Sequence, residues 1–304
     1  MIDPLAEVVT LLQPGARFSK LVLGAGAWRV SRSDAGEPFY CAILEGGSRI
    51  AIDGHEPIAL RSGDFVLIPA AYGVAMSSLE PPPADVETAA PVALGNNEFR
   101  VGVPDGPADV RMMVGHCSFG SPDASLLVSL LPQFVHVRGE QRLATLVQLV
   151  RDESREQRPA REVVLARLLE VLLIEALRST TGTHASPGLA RGLADGRLAA
   201  AIRGMHAHPT RAWTVAELAK EAALSRSTFF ERFSRAVGIA PMEYLLTWRM
   251  ALAKDLLRRN EGRIAEIAQR VGYSSASTFS VAFTRHVGRP PTQYAREEQA
   301  VAPT

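Results

Sequence analysis

An internal repeat constrains this chain more than any other feature. "ALSRSTFFERFSRAVGIAPMEY", from Ala223 to Tyr244, is echoed by "GYSSASTFSVAFTRHVGRPPTQY", from Gly272 to Tyr294. Upstream of these stretches, Val215, Leu218 and Ala219 match Ile264, Ile267 and Ala268 at an offset of 49. Phe229, Phe233, Gly238, Pro241 and Tyr244 match Phe279, Phe283, Gly288, Pro291 and Tyr294 at an offset of 50. The one-residue slip falls in the turn between helices, where an insertion is best tolerated. Each copy reads as a helix, a short turn and a second helix opened by Ser, which is a helix-turn-helix. Gly272 is expected to end the first helix of its copy in a left-handed turn. The aromatics at i and i+4 point inward, so the opposite face of each second helix is left free for a groove. Tyr244 to Leu257 reads as one long helix joining the copies.

Charge separates the chain in the same way. From Asp195 onward there are 16 basic and 10 acidic residues, a net of +6; the rest carries 17 and 22, a net of −5. A basic helical half behind an acidic half suits a nucleic-acid partner. The long helix would hold two second helices over successive major-groove segments, about 34 Å apart, with Arg249, Lys254, Arg258 and Arg259 placed for phosphates.

The first 120 residues have a different period. "KLVLGAGAWRVS", "FYCAILEGGSRIAI", "SGDFVLIP" and "DVRMMVGHCSF" are short apolar runs between turn signals, the pattern of a sandwich or barrel. Glu45–Gly47 and Asp53–Glu56 read as hairpin turns, Pro69 as the stop of a buried strand, and Leu79–Asn97, with four prolines, as a loop. From residue 124 helical spacing takes over, and two helices flank Pro159. The second, Val163 to Leu177, is apolar around most of its circumference and needs two covering surfaces. Thr180–Gly188 is small and polar and reads as a linker. The organisation expected is a barrel over 1–123, a dimerising helical hairpin over 124–181, a linker over 182–194 and a helical domain over 195–304. Its helix-turn-helix units lie at 214–238 and 264–288. No apolar run approaches 18 residues, so no transmembrane helix is expected. The N-terminus lacks a basic, signal-like start, and the two cysteines, Cys41 and Cys117, argue for a reducing compartment. A cytoplasmic protein is expected.

"TVAELAKEAALSRSTFFERFSRAVGIAPMEYLLTWRM" and "IAEIAQRVGYSSASTFSVAFTRHVGRPPTQY" closely resemble the DNA-binding domain of AraC/XylS-type transcription regulators. "GDFVLIP" and "MMVGHCSF" more loosely resemble the cupin-like sensor domain that precedes it in many members. The resemblance implies an α+β multidomain chain: a cupin-like β-barrel with an αα-hairpin, then an all-α tandem helix-turn-helix domain. It implies double-stranded promoter DNA, a small-molecule effector, a homodimer and RNA polymerase as partners, and no membrane. By position, the first unit would present Arg226, Ser227, Thr228, Phe230, Glu231 and Arg232 to DNA. The second would present Ser275, Ala276, Ser277, Ser280, Val281 and Arg285. Phe230, Ala276 and Val281 can meet only thymine methyls, while Glu231 can accept from cytosine or pair with Arg235. Weaker base discrimination is expected from the second unit.

Candidate effector-pocket residues are Trp28, Phe39, Tyr40, Phe65, Tyr72, Met76 and His116, although for any one of them core packing is the simpler reading. Two alternatives remain open. Catalytic cupins hold a metal through His and carboxylate ligands; the barrel region offers His55 and His116, and "IPAAYGVAM" stands where metal-binding members place a His. The remaining His-x-His, His206 and His208, reads as an end-of-helix charge pair. No catalytic residue, metal or cofactor is assigned. Cys41 and Cys117 could alternatively form a redox pair, although buried thiols are usually inert.

Overall fold

In the computed structural model, residues 2–32, 36–83, 90–121, 124–156, 158–179 and 187–301 are described. They form two compact units. One takes in Leu12–Val128 and Pro132–Ser186, the other Met1–Leu11, Ser129–Leu131 and Pro187–Thr304. The first helix, α1 (Pro4–Leu12), therefore belongs through Leu11 to the unit that holds the repeat, not to the barrel as the sequence organisation has it.

The barrel unit is a ten-stranded sheet. Its strands are β1 (Pro14–Ala25), β2 (Arg29–Arg32), β3 (Glu37–Ile52), β4 (Ile58–Arg61), β5 (Asp64–Ala71), β6 (Val74–Ser77), β7 (Val92–Gly95), β8 (Glu98–Gly102), β9 (Val110–Phe119) and β10 (Val135–Arg138). The main path runs β10-β5-β3-β9-β1-β8-β7, with β4 and β6 on β3 and β2 on β6. All pairs are antiparallel except β1 with β8.

Glu45–Gly47 is not a hairpin turn. β3 runs through it, changing register at a bulge and moving from β5 and β9 to β4 and β6. Gly46 makes this possible: its φ is +73°, and a Cβ there would lie 1.9 Å from the Asp109 carbonyl oxygen. Pro69 likewise does not stop β5, which continues to Ala71 across a register shift between Phe39 and Glu37 on β3, where a missing N–H is tolerated. Within the Leu79–Asn97 stretch, residues 84–89 lie outside the described residues, and the tail is the β7–β8 hairpin rather than loop.

Alternation along the strands builds two faces. Phe39, Cys41 and Ile43 of β3, Val66 and Ile68 of β5, and Val110, Met112 and Val114 of β9 point into one core. Tyr40, Phe65, Leu67 and Cys117 point the other way. That outer face is covered by α3 (Gln141–Arg155) and α4 (Arg161–Arg178), which follow a short α2 (Ala124–Val128). Leu169, Leu172 and Leu173 of α4 meet Tyr40 and Phe65, while Leu143 and Val147 of α3 meet Ala42 and Val137. Each buried leucine contributes about 1.5–3 kcal/mol. The sheet is thus one of the two surfaces that α4 needs; Val163, Val164 and Val171 remain exposed on its other side. The segment 124–181 is not purely helical, because β10 within it extends the sheet on β5.

The second unit is helical: α1, then α5 (Leu189–Ala194), α6 (Gly196–Ala207), α7 (Val215–Glu221), α8 (Arg226–Val237), α9 (Pro241–Arg258), α10 (Ile264–Arg270), α11 (Ala276–Val287) and α12 (Pro291–Val301). The expected linker splits in two. Residues 182–186 lie outside the described residues; Leu189–Ala194 is a helix with Leu189 and Ala190 buried, and the Leu189 N–H donates to the Leu130 carbonyl at 2.8 Å. Among the described residues, no helix is long and apolar enough to cross a membrane.

Candidate nucleic-acid interface

The two helix-turn-helix units are α7–α8 and α10–α11. Their local rules repeat. Ser225 caps α8 by accepting from Thr228 N at 3.2 Å, and Ser275 caps α11 by accepting from Thr278 N at 3.1 Å. Gly238 (φ +93°) and Gly288 (φ +84°) close them in the left-handed region. Thr214 and Glu217 form a capping box on α7. Gly272 has φ +84°, as its place in the turn requires; its counterpart Ala223 holds φ +50° with a Cβ.

Behind each second helix lies the same aromatic triad. Phe229 and Phe233 stand 5.5 Å apart, and Phe233 meets Tyr244 edge-on at 5.7 Å. In the second unit Phe279 and Phe283 stand 5.4 Å apart, and Phe283 meets Tyr294 edge-on at 5.6 Å. All six side chains are fully buried. This fixes which side of α8 and α11 turns outward.

On α8 the outward side carries Arg226, Ser227, Thr228, Phe230 (46% exposed), Glu231, Arg232 and Arg235. The Thr228 hydroxyl is 2.8 Å from that of Ser225, inside the cap. Arg232 Nε donates to Asp195 Oδ2 at 2.5 Å, while Asp195 Oδ1 caps α6, so this arginine is engaged in joining α8 to α6. On α11 the outward side carries Ser277, Val281 (68% exposed) and Arg285. Together with Thr278, Ala282, His286 and Leu246 they line an open groove. Ser275 sits in the cap, and Ala276 and Ser280 are half-buried; the Ser280 hydroxyl donates back to the Ala276 carbonyl at 2.7 Å, which occupies its proton within the helix.

Two arginine and lysine assignments need correction. Arg249 is a strut: its Nε donates to the Pro209 carbonyl at 2.8 Å and its Nη2 to the Arg211 carbonyl at 2.7 Å. Burial pulls its pKa below the ordinary arginine value, with Tyr273 opposing. Lys254 is buried, not exposed on the joining helix, with Nζ 5.7 Å over the Tyr294 ring. Arg258 and Arg259 both reach Asp255, at 2.5 and 3.1 Å.

One cluster has no counterpart in the sequence reading. His206 is buried, stacks on Trp248 at 4.0 Å, and places Nε2 2.7 Å from the Tyr244 hydroxyl and Nδ1 2.6 Å from Glu7 Oε2. Desolvation holds its pKa below the ordinary value, with Glu7 pulling the other way. His206 is therefore no end-of-helix charge: with Glu7 as acceptor, the neutral ring donates from Nδ1 and accepts the Tyr244 proton at Nε2. Its apolar neighbours Ile202 and Met205 hint at burial, but Glu7 is 199 residues away and nothing local points to it.

In the barrel, Trp28, Phe39 and Met76 line an apolar cavity with Val22, Val101 and Met112. Tyr40 and Phe65 face the other side, under α4, and the Tyr40 hydroxyl bonds Ser19. Tyr72 is 59% exposed. His116 is buried between Phe18 and Phe39, at 4.8 and 5.3 Å, with Glu37 at 3.9 Å from its Nδ1. His55 lies 3.0 Å from Gln133, and β10 adds a third barrel histidine, His136, 3.3 Å from Asp64. Among the described residues, no three His, Cys, Asp or Glu side chains gather as metal ligands. Cys41 and Cys117 stand on opposite faces of the sheet, so no disulfide can join them in this fold. Burial pushes the Cys117 thiol up to about 12 and Cys41 higher still, against thiolate chemistry.

Comparison with known proteins finds two domain families along the chain. Residues 3–182 match the cupin family model, and residues 218–297 a helix-turn-helix domain model. A putative AraC-like transcription regulator of Streptomyces lividans is 37% identical over 96% of this chain and 98% of its own length. One from Streptomyces antibioticus is 36% identical over the same shares. The regulator AlkR of Acinetobacter baylyi is 32% identical over 59% of each chain. With its relatives named as regulators rather than enzymes, and a cupin domain ahead of paired helix-turn-helix units, this chain belongs to the AraC-like family of DNA-binding transcription regulators.

Proposed function

We propose that the chain is an effector-controlled regulator that reads its operator mainly through α8 and grips it through α11. The observation that carries this is the pairing of two equally built units on one helix, α9. At 1.5 Å per residue its 18 residues span about 27 Å, close to the ~34 Å between successive major grooves. The division of labour is supported by the outward faces. That of α8 includes Arg226, Ser227 and Glu231, which can form polar contacts with bases. That of α11 is led by Val281, which can offer only a methyl contact, with Arg285 suited to phosphate. Inserting five base pairs between the two half-sites of a footprinted operator is expected to abolish specific binding. Retained affinity would sink simultaneous docking.

The barrel unit supports the effector half of the reading through its apolar cavity. The exposed Val163, Val164 and Val171 of α4 support a second copy of this chain as its missing cover. Light scattering tests this: Val163→Glu with Val171→Glu is expected to halve the mass of the wild-type particle, and an unchanged mass would remove α4 from the interface. The reading places the protein in the cytoplasm, with RNA polymerase as its partner at the promoter.

A further inference from the structure

The outward faces of α8 and α11 can be compared row by row. On an α-helix, residues four apart lie on one side, about 6 Å from each other along the axis. The outward row of α8 is Ser227, Glu231 and Arg235; that of α11 is Ser277, Val281 and Arg285. All six are exposed, and each pair is related by the repeat's offset of 50. The rows are alike at both ends, with a serine on the first turn and an arginine on the last, and differ only in the middle.

The neighbouring side chains leave discrimination to that middle position. Phe230 and its counterpart Ser280 give the groove no proton: one is a hydrocarbon, and the other donates to the Ala276 carbonyl at 2.7 Å. The Thr278 and Thr284 hydroxyls of α11 also turn back, donating to the Ser275 and Ser280 carbonyls at 3.0 and 2.7 Å. The serines of the two rows meet donors and acceptors alike and select little. The terminal arginines suit phosphates, which carry no sequence information.

The two middle residues select opposite chemistries in a major groove. A carboxylate needs a donor, so Glu231 matches the N4 amino group of cytosine and is repelled by the acceptors of guanine and by thymine O4. Val281, 68% exposed, has no hydrogen bond to offer. It gains only by covering another apolar group, and the groove displays one, the C5 methyl of thymine. 5-Methylcytosine carries the same methyl at the same ring position. To Val281 it resembles thymine. To Glu231 it sets a methyl beside the amino group and strips water from the carboxylate.

We propose that Glu231 and Val281 are the specificity-determining residues of their units, Glu231 selecting an unmethylated cytosine and Val281 a pyrimidine that carries a C5 methyl. Cytosine methylation then acts on the two segments of the operator in opposite directions. This rests on the reading of α8 and α11 as the helices that face DNA.

The test uses the full-length protein and a duplex operator that it selects from random DNA. Reselection with Glu231→Val should turn a cytosine into thymine and so mark the α8 segment. Val281→Glu should make the reverse change in the α11 segment. Deoxyuridine in place of that α11-segment thymine removes only the methyl. It should weaken wild-type binding about fourfold, the worth of one buried methyl, while Val281→Ser should bind both duplexes alike. A cytosine placed there should regain about fourfold on 5-methylation. 5-Methylation of the α8-segment cytosine should instead weaken binding, and Glu231→Val should remove that loss. The deoxyuridine measurement needs no protein variant. Equal wild-type binding of the thymine and uracil duplexes would overturn the proposal. So would an unchanged uracil penalty in Val281→Ser, methylation acting in one direction on both segments, or reselection by Val281→Glu that changes no base. Simultaneous docking is judged separately. A five-base-pair insertion that leaves affinity intact would end it with the methyl effects standing; abolished binding without any methyl effect would end this base code alone.

Discussion

The first and second helix-turn-helix units share a skeleton and differ in what surrounds it. The triads Phe229–Phe233–Tyr244 and Phe279–Phe283–Tyr294 repeat their spacings almost unchanged. The two tyrosines then diverge. Tyr244 turns its hydroxyl to His206, and through it to Glu7 on α1. Tyr294 lies under the cations of Arg289 and Lys254, at 4.9 and 5.7 Å. The outward faces diverge too, polar and charged on α8, smaller and more apolar on α11. The two units share the packing that makes a second helix stand out, and differ in the exposed residues and the surroundings.

The largest expected effect tests the shared skeleton. Phe229→Ala and Phe279→Ala should each destabilise the helical unit by about 3–5 kcal/mol, read by urea unfolding. A difference above about 1 kcal/mol between the two would break their equivalence. Next comes the contrast between Arg226 and Arg249. Arg249→Ala removes both bonds that tie α9 to the carbonyls of Pro209 and Arg211, at a cost of about 2–3 kcal/mol of stability. Arg226→Ala should leave the melt unchanged and lower the salt slope of DNA binding by about one. A normal melt for Arg249→Ala would return it to the phosphate-binding set.

The asymmetry between the tyrosines should appear as a pH dependence. His206 has a folded-state pKa below its unfolded value of about 6.5, mainly through desolvation. The unfolded chain therefore binds this proton more readily. The stability contributed by neutral His206 is complete above that value and is lost as pH falls below it, until the folded state also protonates. Melting of the helical unit between pH 7.5 and 5 should show this loss, and His206→Gln should flatten it. A wild-type profile that is already flat would mean the ring does not change its charge. The smallest effect belongs to the turn. Ala223→Gly relieves a left-handed residue and should change stability by no more than about 1 kcal/mol, whereas Gly272→Ala, with the Pro209 carbonyl 2.7 Å from the new Cβ, should cost more.

These contrasts also mark what can be read from sequence. The skeleton of the repeat was legible, because caps, turns and i, i+4 aromatics act within a dozen positions, whereas the placement of Arg249 and Lys254 on α9 was not. In the barrel, the buried runs of β3, β5 and β9 were legible, but not the continuity of β3, the β7–β8 hairpin or the side each residue faces. Phe39 and Tyr40 are adjacent, so in a strand they must face opposite ways; only Phe39 reaches the cavity. The continuity of β3 through Gly46, the pairing of β10 with β5 and the bond from His206 to Glu7 all depend on partners distant in the chain.

The separation between Glu7 and His206 has a consequence during synthesis. Helix α1 leaves the ribosome ahead of the barrel, with Leu5, Val8 and Val9 ready to be buried, but its histidine partner is encoded 199 residues later. At about 5–20 residues per second that is a wait of roughly 10–40 s, during which the whole barrel is made. The DNA-binding unit therefore cannot be completed before the barrel has been translated, so every finished reader of DNA emerges already attached to its barrel.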